Sequence, residues 1–499
     1  MSNLTYRYTG PLPLGSVVAH YCGAAGLTTT KGAPVWRLEG LGAEEGYTLT
    51  VYHNDVPVAV FKGALSNEGR LEIGGQLLKL IRTIQGRPAL GEWGTLVGVR
   101  PTKMFHKLWD IDENSDTPPA AEPSNPDEPG TVINGCDTAV QVLRKRFDVS
   151  EPKIELLKAV ATLQRPFVAP HETADREVSV YGGIPFCQTH CTYCSFPYGL
   201  IQDYRRIPEF LGAFVNDATQ LKGLIETYGL QVATVYMGGG TPTSLGDEDF
   251  ATALAALAKL HRENSEFTVE AGRPDSVTPH KLATMAKLGV NRISINPQSM
   301  HDDILKAVGR GHTAAAIKEL YAYVRSYTNF AVNMDFIAGL PYQTLSHMEE
   351  NLDYVCQARP ENVTIHTLAL KRGSPLYDGV GREAMPEAAA VEEMVARSKE
   401  RLEAAGYVPY YVYRQQYMTS QTENIGYTLP GYICEYNIRI MEERQSILSV
   451  GPGSSSKWMR APEYRQLQQH MPKDVSVYID TLSALLEKRS RLCKKFWEG

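Results

Sequence analysis

VSVYGGIPFCQTHCTYCSF, residues 178–196, joins a strand-like run to three closely spaced cysteines. Cys187, Cys191 and Cys194 stand in a Cys-x3-Cys-x2-Cys spacing. Three thiolates this close can ligate three irons of one 4Fe–4S cluster and leave the fourth iron open. An open iron can hold a small molecule, and S-adenosylmethionine is the obvious candidate. Two other readings stay open at this point. The three cysteines and His190 could hold a structural zinc as a Cys3His set. A disulfide with one spare thiol would need an oxidising compartment.

Outward from this run, strand-like and helix-like segments alternate. The strand-like runs are VSVYGGI, VATVYM, FTVE, RISIN, AVNMDFI and VTIHTL, with helical patterns such as EFLGAFVNDATQLKGLIETY, EDFATALAALAKLHRE and PHKLATMAKLG between them. The pattern predicts six βα units over residues 176–406, with parallel strands and right-handed crossovers. Ligands of such folds sit beyond the carboxyl ends of the strands, which is where the cysteines fall. Upstream, residues 1–111 read as a small α+β domain. SVVAHYC, PVWRLE, YTLTVYH and VPVAVFKG are its β-prone runs, and Asn54-Asp55 marks a hairpin turn. LLKLIRTIQG reads as a helix ending at Gly86. Residues 112–131, DENSDTPPAAEPSNPDEPGT, are acidic and rich in Pro and Ser, which predicts a flexible linker or loop. Residues 132–175 read as a helical connection. Residues 407–499 form a small C-terminal region with a β-prone run (YVPYYVYRQ), a Gly-rich turn (VGPGSSSK) and a final helix.

The chain has 499 residues, 43% of them hydrophobic, and a formal net charge of -6. A large core is within reach, and the acidic balance argues against a nucleic-acid partner. No run approaches the roughly 18 apolar residues of a membrane span. MSNLTYRYTGPLPLG lacks the basic start and apolar core of a secretion signal, so a cytoplasmic protein is expected. Cys22, Cys136, Cys356, Cys434 and Cys493 are scattered and read as small buried hydrophobes.

Polar residues recur at the predicted strand ends. Gly238-Gly239-Gly240-Thr241 follows the second strand, either as a ligand cradle or as a tight βα turn. Glu270 ends the third strand, Gln298 follows the fourth with Arg310 beyond it, and Asp335 lies in the fifth. A carboxylate can accept both hydroxyl protons of a ribose, and an Arg can pair bidentately with a carboxylate. Asp335 could equally serve a helix dipole or a backbone amide.

In this order, the cysteine run, GGGTPT, VEAGRPD, INPQSM, VGRGHT and MDFIAGLP resemble the radical S-adenosylmethionine enzymes. The closest resemblance is to their oxygen-independent coproporphyrinogen III oxidase branch. WGTLVGVRPTK before the core, and YYVYRQQYM, ENIGY and YNIRIMEERQ after it, resemble the HemZ type of that branch. The resemblance spans roughly residues 85–110 and 175–460.

The resemblance implies a partial (β/α)6 TIM-like barrel, a 4Fe–4S cluster on Cys187, Cys191 and Cys194, and S-adenosylmethionine. Tyr181 matches a tyrosine that packs beside the bound cofactor. Gly239, Gly240, Thr241, Glu270, Gln298, Arg310 and Asp335 match its pocket. The implied reaction is oxidative decarboxylation of tetrapyrrole propionates to vinyl groups in haem biosynthesis, fed by a donor such as flavodoxin or ferredoxin. Haem chaperones share the branch, and haem-methylating or ring-opening radical enzymes share the pocket. The oxidases of the branch carry a further cysteine two residues after the third ligand, and this chain has Phe196 there. Arg372, Arg414 and Arg439 are candidate partners for substrate carboxylates, each with a structural role as the alternative.

Overall fold

The computed structural model describes residues 5–25, 27–30, 34–44, 46–86, 91–96, 98, 100–113, 135–169, 174–196, 199–379, 381–415, 418–420, 422–461 and 465–499. The chain divides into two compact units, residues 1–161 and 162–499.

The first unit runs β1 (Thr5–Thr9), α1 (Leu12–Ala24), β2 (Thr28–Thr29), β3 (Trp36–Ala43), β4 (Gly46–His53), β5 (Val56–Gly63), α2 (Asn67–Ile84), α3 (Pro101–Glu113), α4 (Gly135–Phe147) and the start of α5 (Glu151–Val168). Its sheet has the order β2-β1-β3-β4-β5. Asn54 and Asp55 both take positive φ, 51° and 61°, so the β4–β5 hairpin turns as expected. The expectation of a strand at SVVAHYC fails, because those residues lie in α1. Leu14, Val18, Tyr21 and Cys22 are buried there at helical spacing, and this one-sided burial outweighs the β-branched pair Val17-Val18. The strand that does form is β1, just before it. Helix α3 runs through Glu113, so the first two residues of the acidic segment 112–131 are helical. Residues 114–131 of that segment lie outside the described residues.

The second unit carries β6 (Glu177–Ile184), β7 (Phe186–Cys187), β8 (Gly199–Leu200), α6 (Ile207–Tyr228), β9 (Gln231–Gly239), α7 (Asp247–Ala258), β10 (Glu266–Gly272), α8 (Pro279–Lys287), β11 (Arg292–Ile295), α9 (Asp302–Ala307), α10 (Ala314–Tyr327), β12 (Ala331–Ala338), α11 (Leu345–Ala358), β13 (Asn362–Thr367) and α12 (Ala388–Ala404). The strands β6-β9-β10-β11-β12-β13 are neighbours in that order and all parallel, the arrangement of a partial (β/α)6 barrel. The remaining elements are β14 (Val408–Tyr413), β15 (Asn424–Thr428), α13 (Glu435–Glu442), β16 (Ser446–Val450), β17 (Ser455–Arg460), β18 (Arg465–His470) and α14 (Val475–Trp497). These strands extend the core sheet at both edges. β15 and β14 add antiparallel beside β13, while β16 adds parallel beside β6 and leads to β17 and β18.

Strand alternation gives the sheet two unlike faces. One presents Val180, Val235, Phe267, Val269, Ile293, Met334 and Val363, all fully buried. Each such side chain contributes about 1.5–3 kcal/mol by leaving water. Register places Tyr181 beside Tyr236 and Tyr236 beside Thr268, and places Glu270 beside Ser294 and Asp335 beside Thr364. The second face is therefore a polar and aromatic row. Helices α8 and α11 begin a few residues beyond the ends of β10 and β12 under the N-caps Thr278 and Thr344, and α10 follows α9 under Thr313. Each cap is worth about 1 kcal/mol and fixes where its loop gives way to helix.

Candidate active site

The cysteine loop leaves the top of β6 and is held on several sides. Thr192 N–H donates to Val308 O at 3.0 Å, and Thr189 Oγ1 donates to Gly309 O at 3.2 Å. Leu376 N–H donates to Thr192 O at 2.9 Å, and Cys194 N–H closes a turn on Cys191 O at 3.0 Å. Arg273, paired with Asp275 at 2.8 Å, donates to Thr189 Oγ1 at 2.6 Å. The loop is thus held by the chain's own hydrogen bonds, and its three cysteines are partly accessible.

The glycine run after β9 locks against the same segment. Gly240 N–H donates to Ile184 O at 2.8 Å, and Thr241 N–H to Phe186 O at 2.7 Å. Gly239 has φ 122°, and a Cβ there would lie 2.4 Å from Ile184 O. A Cβ on Gly240 would lie 2.4 Å from Phe186 O and 2.9 Å from Cys187 Sγ. These glycines let the β9 turn approach the cysteine-bearing backbone, and any side chain there would displace Cys187.

On the polar face, Tyr236 donates its hydroxyl to Glu270 Oε1 at 2.7 Å, and Gly239 N–H donates to Glu270 Oε2 at 3.2 Å. Burial, with the charge of Asp335, pushes the Glu270 carboxyl up to about 7, although both hydrogen bonds oppose the shift. Asp335 behaves in the opposite way. Burial would raise it, but His366, Asn333 and Thr364 hold it below its ordinary value. His366 Nε2 lies 3.7 Å from Asp335, and Asn333 donates to Asp335 at 2.8 Å. Gln298 takes φ 67°, and its main chain bridges to β12 through Asp335 O and Ile337 N. Its buried Oε1 has no hydrogen-bond partner. Arg310 is buried beside the cysteines, 2.9 Å from the Tyr193 hydroxyl and 4.0 Å from Cys191 Sγ, and it also donates to Asn296 O. Its Nε has no hydrogen-bond partner. Tyr181 stacks with Tyr236 at 6.2 Å and Tyr436 at 6.3 Å on the Glu270 side.

Sequence reading missed Tyr236, His366, Tyr413, Tyr436 and Arg273. Tyr413 sits 3.1 Å from His366 Nδ1, and Tyr436 comes from α13, far along the chain. All five stand inside runs that sequence reading picks out (VATVYM, VEAGRPD, VTIHTL, YYVYRQQYM and YNIRIMEERQ), but nothing in those runs marks which side chain turns to the site. Of the three candidate arginines, Arg439 is buried between Glu177 and Glu435, a structural ion pair. Arg372 is exposed. Burial pushes Arg414 down to about 10 against the charge of Glu423.

A family model described as Radical SAM superfamily matches residues 182–355. Over 417 residues the chain is 34% identical to the oxygen-independent coproporphyrinogen-III oxidase-like protein HemZ of Bacillus subtilis, covering 82% of this chain and 78% of that protein. Over 239 residues it is 29% identical to the heme chaperone HemW of the same organism, covering 47% of this chain and 62% of that one. The solved structure of coproporphyrinogen III oxidase HemN from Escherichia coli matches with a TM-score of 0.50 at 19% identity, over 65% of this chain and 72% of that one. At that identity the likeness speaks for the fold. The cysteine loop on a partial βα barrel is the mark of the radical S-adenosylmethionine class. Within it, the chain belongs to the HemZ type of the oxygen-independent coproporphyrinogen III oxidase branch.

Proteins of this class use a 4Fe–4S cluster and S-adenosylmethionine, and the residues present fit both. Zinc would draw its donors to about 3.8 Å from one another, given Zn–S bonds near 2.3 Å. Among the described residues, no three of Cys187, Cys191, Cys194 and His190 bring donor atoms within 4.8 Å of one another, and a larger cluster suits that spread. The unpartnered Gln298 Oε1 and Arg310 Nε offer one acceptor and one charged donor to a polar cofactor.

Proposed function

We propose that the chain is a cytoplasmic radical S-adenosylmethionine enzyme that oxidatively decarboxylates propionate side chains of coproporphyrinogen III to vinyl groups. The observation that carries this reading is the 34% identity to HemZ over 82% of this chain. Cys187, Cys191 and Cys194 hold three irons. The main chain at Gly239, Gly240 and Thr241 faces the cofactor's amino group, and Arg310 faces its carboxylate. Glu270 and Asp335 accept hydroxyl protons, Gln298 adds a polar contact, and Tyr181 packs alongside. When bound, the cluster and S-adenosylmethionine supply a 5′-deoxyadenosyl radical able to take hydrogen from a propionate β-carbon. The chain's own part is to orient the two partners and keep water out. An external donor of the flavodoxin or ferredoxin kind supplies electrons.

The test is anaerobic incubation with coproporphyrinogen III, S-adenosylmethionine, a reductant and an electron acceptor. Each turnover should lower product mass by one formic acid equivalent and release 5′-deoxyadenosine. Cofactor cleavage without that loss rejects the reaction. A second reading, haem carriage, is favoured by the likeness to HemW and by Phe196, an exposed hydrophobic residue where the oxidases have cysteine. Stable haem uptake without turnover would select it.

A further inference from the structure

Two histidines and an aspartate meet just beyond Gln298, outside the cofactor pocket. His301 precedes α9, Asp303 lies in its first turn, and His347 is the third residue of α11. One ring nitrogen of each histidine and one Asp303 oxygen all lie within 4.8 Å of one another. The two rings are 4.5 Å apart, and Glu350 Oε2 lies 3.8 Å from His301 Nε2. Asp303 is exposed and the Glu350 side chain is 60% exposed, so an ion can reach the group from solvent. We propose that His301, Asp303 and His347, with Glu350 as a fourth donor, form a second metal site on this chain for a divalent transition ion. Two imidazoles with carboxylates suit zinc, cobalt or nickel better than magnesium or calcium.

The site has a built-in competitor. His347 also serves the capping box of α11: Thr344 N–H donates to His347 Nδ1 at 3.1 Å, while Thr344 Oγ1 accepts from His347 N–H at 3.4 Å. A neutral imidazole has one lone pair in its plane. A metal on Nδ1 takes the lone pair that now faces Thr344. A metal on Nε2 moves the ring proton to Nδ1, where it repels the Thr344 amide. In either case the ring keeps its one proton and the bond to Thr344 is released. Metal occupancy and the full capping box therefore exclude each other. The ion would tie α9, which leads to Arg310, to the helix that follows β12.

The test is anaerobic equilibrium dialysis of cluster-loaded protein against zinc(II), measuring zinc and iron together. Wild type should take up a single zinc per chain without losing iron. Asp303→Asn removes an exposed donor, and His347→Gln keeps a capping acceptor but no imidazole. Each should weaken zinc uptake by about tenfold or more, a scale on which even the outer partners of metal ligands count. Zinc should also speed hydrogen exchange at the Thr344 amide. Absence of zinc uptake by wild type, or equal uptake by wild type and Asp303→Asn, overturns the site. Unchanged protection of Thr344 with zinc bound overturns the exclusion. If His347→Gln loses its iron through misfolding, Asp303→Asn decides alone.

Discussion

At the amino ends of the core strands, Glu266, Arg292, Arg325 and Glu361 line a cavity of 640 Å³. At the carboxyl ends lie the cysteine loop, Glu270, Gln298, Arg310 and Asp335. Both places hold buried charge, and Arg292 Nε in the lower one lacks a hydrogen bond too, but there a carboxylate, Glu266 Oε2, stands 3.6 Å away. In the lower cavity Arg292 donates to Asn362, Tyr432 O and Ile433 O and sits 3.6 Å from Glu266. Glu266 in turn accepts the main-chain amides of Glu435 and Tyr436 at 2.8 and 3.0 Å, capping α13. Arg325 pairs with Glu361 at 2.5 Å. At the upper end Gln298 Oε1, Arg310 Nε and Thr192 Oγ1 have no hydrogen-bond partner, and Glu270 is held near neutrality. A roomy cavity whose charges answer one another is structural. Unanswered donors and acceptors beside the cysteine loop are what a ligand-binding place would leave.

The sharpest test of that contrast is at the cysteines. Cys191→Ala should lose nearly all cluster iron and all cofactor cleavage, because two thiolates cannot hold the cluster. Iron content after anaerobic reconstitution checks this, and unchanged iron would end the assignment. A matched pair comes next. Arg292→Ala strands Glu266 and should lower stability by about 3–5 kcal/mol, with cofactor affinity unchanged in the folded protein. Asp335→Ala should do the reverse, weakening S-adenosylmethionine binding by about 2–5 kcal/mol while keeping its iron. Denaturant unfolding and cofactor titration on both proteins would erase the distinction if the two effects were exchanged.

The smallest effect concerns pH. The folded pKa of Glu270 is raised to about 7 from 4.5, so ionisation costs stability as pH climbs through that window. The ionised form is the one that accepts hydroxyl protons. Cofactor affinity should therefore rise with pH up to about 7, by at most about tenfold per unit, and level off above it. Glu270→Gln should bind more weakly and lose the slope. A slope that survives in that variant assigns the titration to another group.

The sequence carried the parallel core because its signals are local: a short apolar run, a polar residue at its end, then a helical period. The same locality exposed the cysteines, Glu270 and Asp335. What it hid was assembly at a distance. Tyr436 reaches Tyr236 from α13, and Tyr413 reaches His366 from β14, partners that no spacing encodes. SVVAHYC misled because β-branched residues favour strands on average, while burial of Val18, Tyr21 and Cys22 on one side decided for a helix. Of the C-terminal strands only β14 stood out as a β-prone run, and the places of β14 to β18 at opposite edges of one sheet did not show.

The position of β16 beside β6 also bears on the order of events during synthesis. The strand that leads into the cysteine loop pairs with β9 on one side and with β16 on the other, Ser446 opposite Val178. Until residues 446–450 have left the ribosome, β6 presents an open edge, the kind of surface on which nascent chains pair wrongly. Arg489 of α14, fully buried against Asp217 of α6, then donates to Ser449 O of β16 and ties that strand down later still. Pairing of such sequence separation is slow to form. The strand that leads into the cysteine loop therefore gains its second neighbour only once residues 446–450 are available to pair.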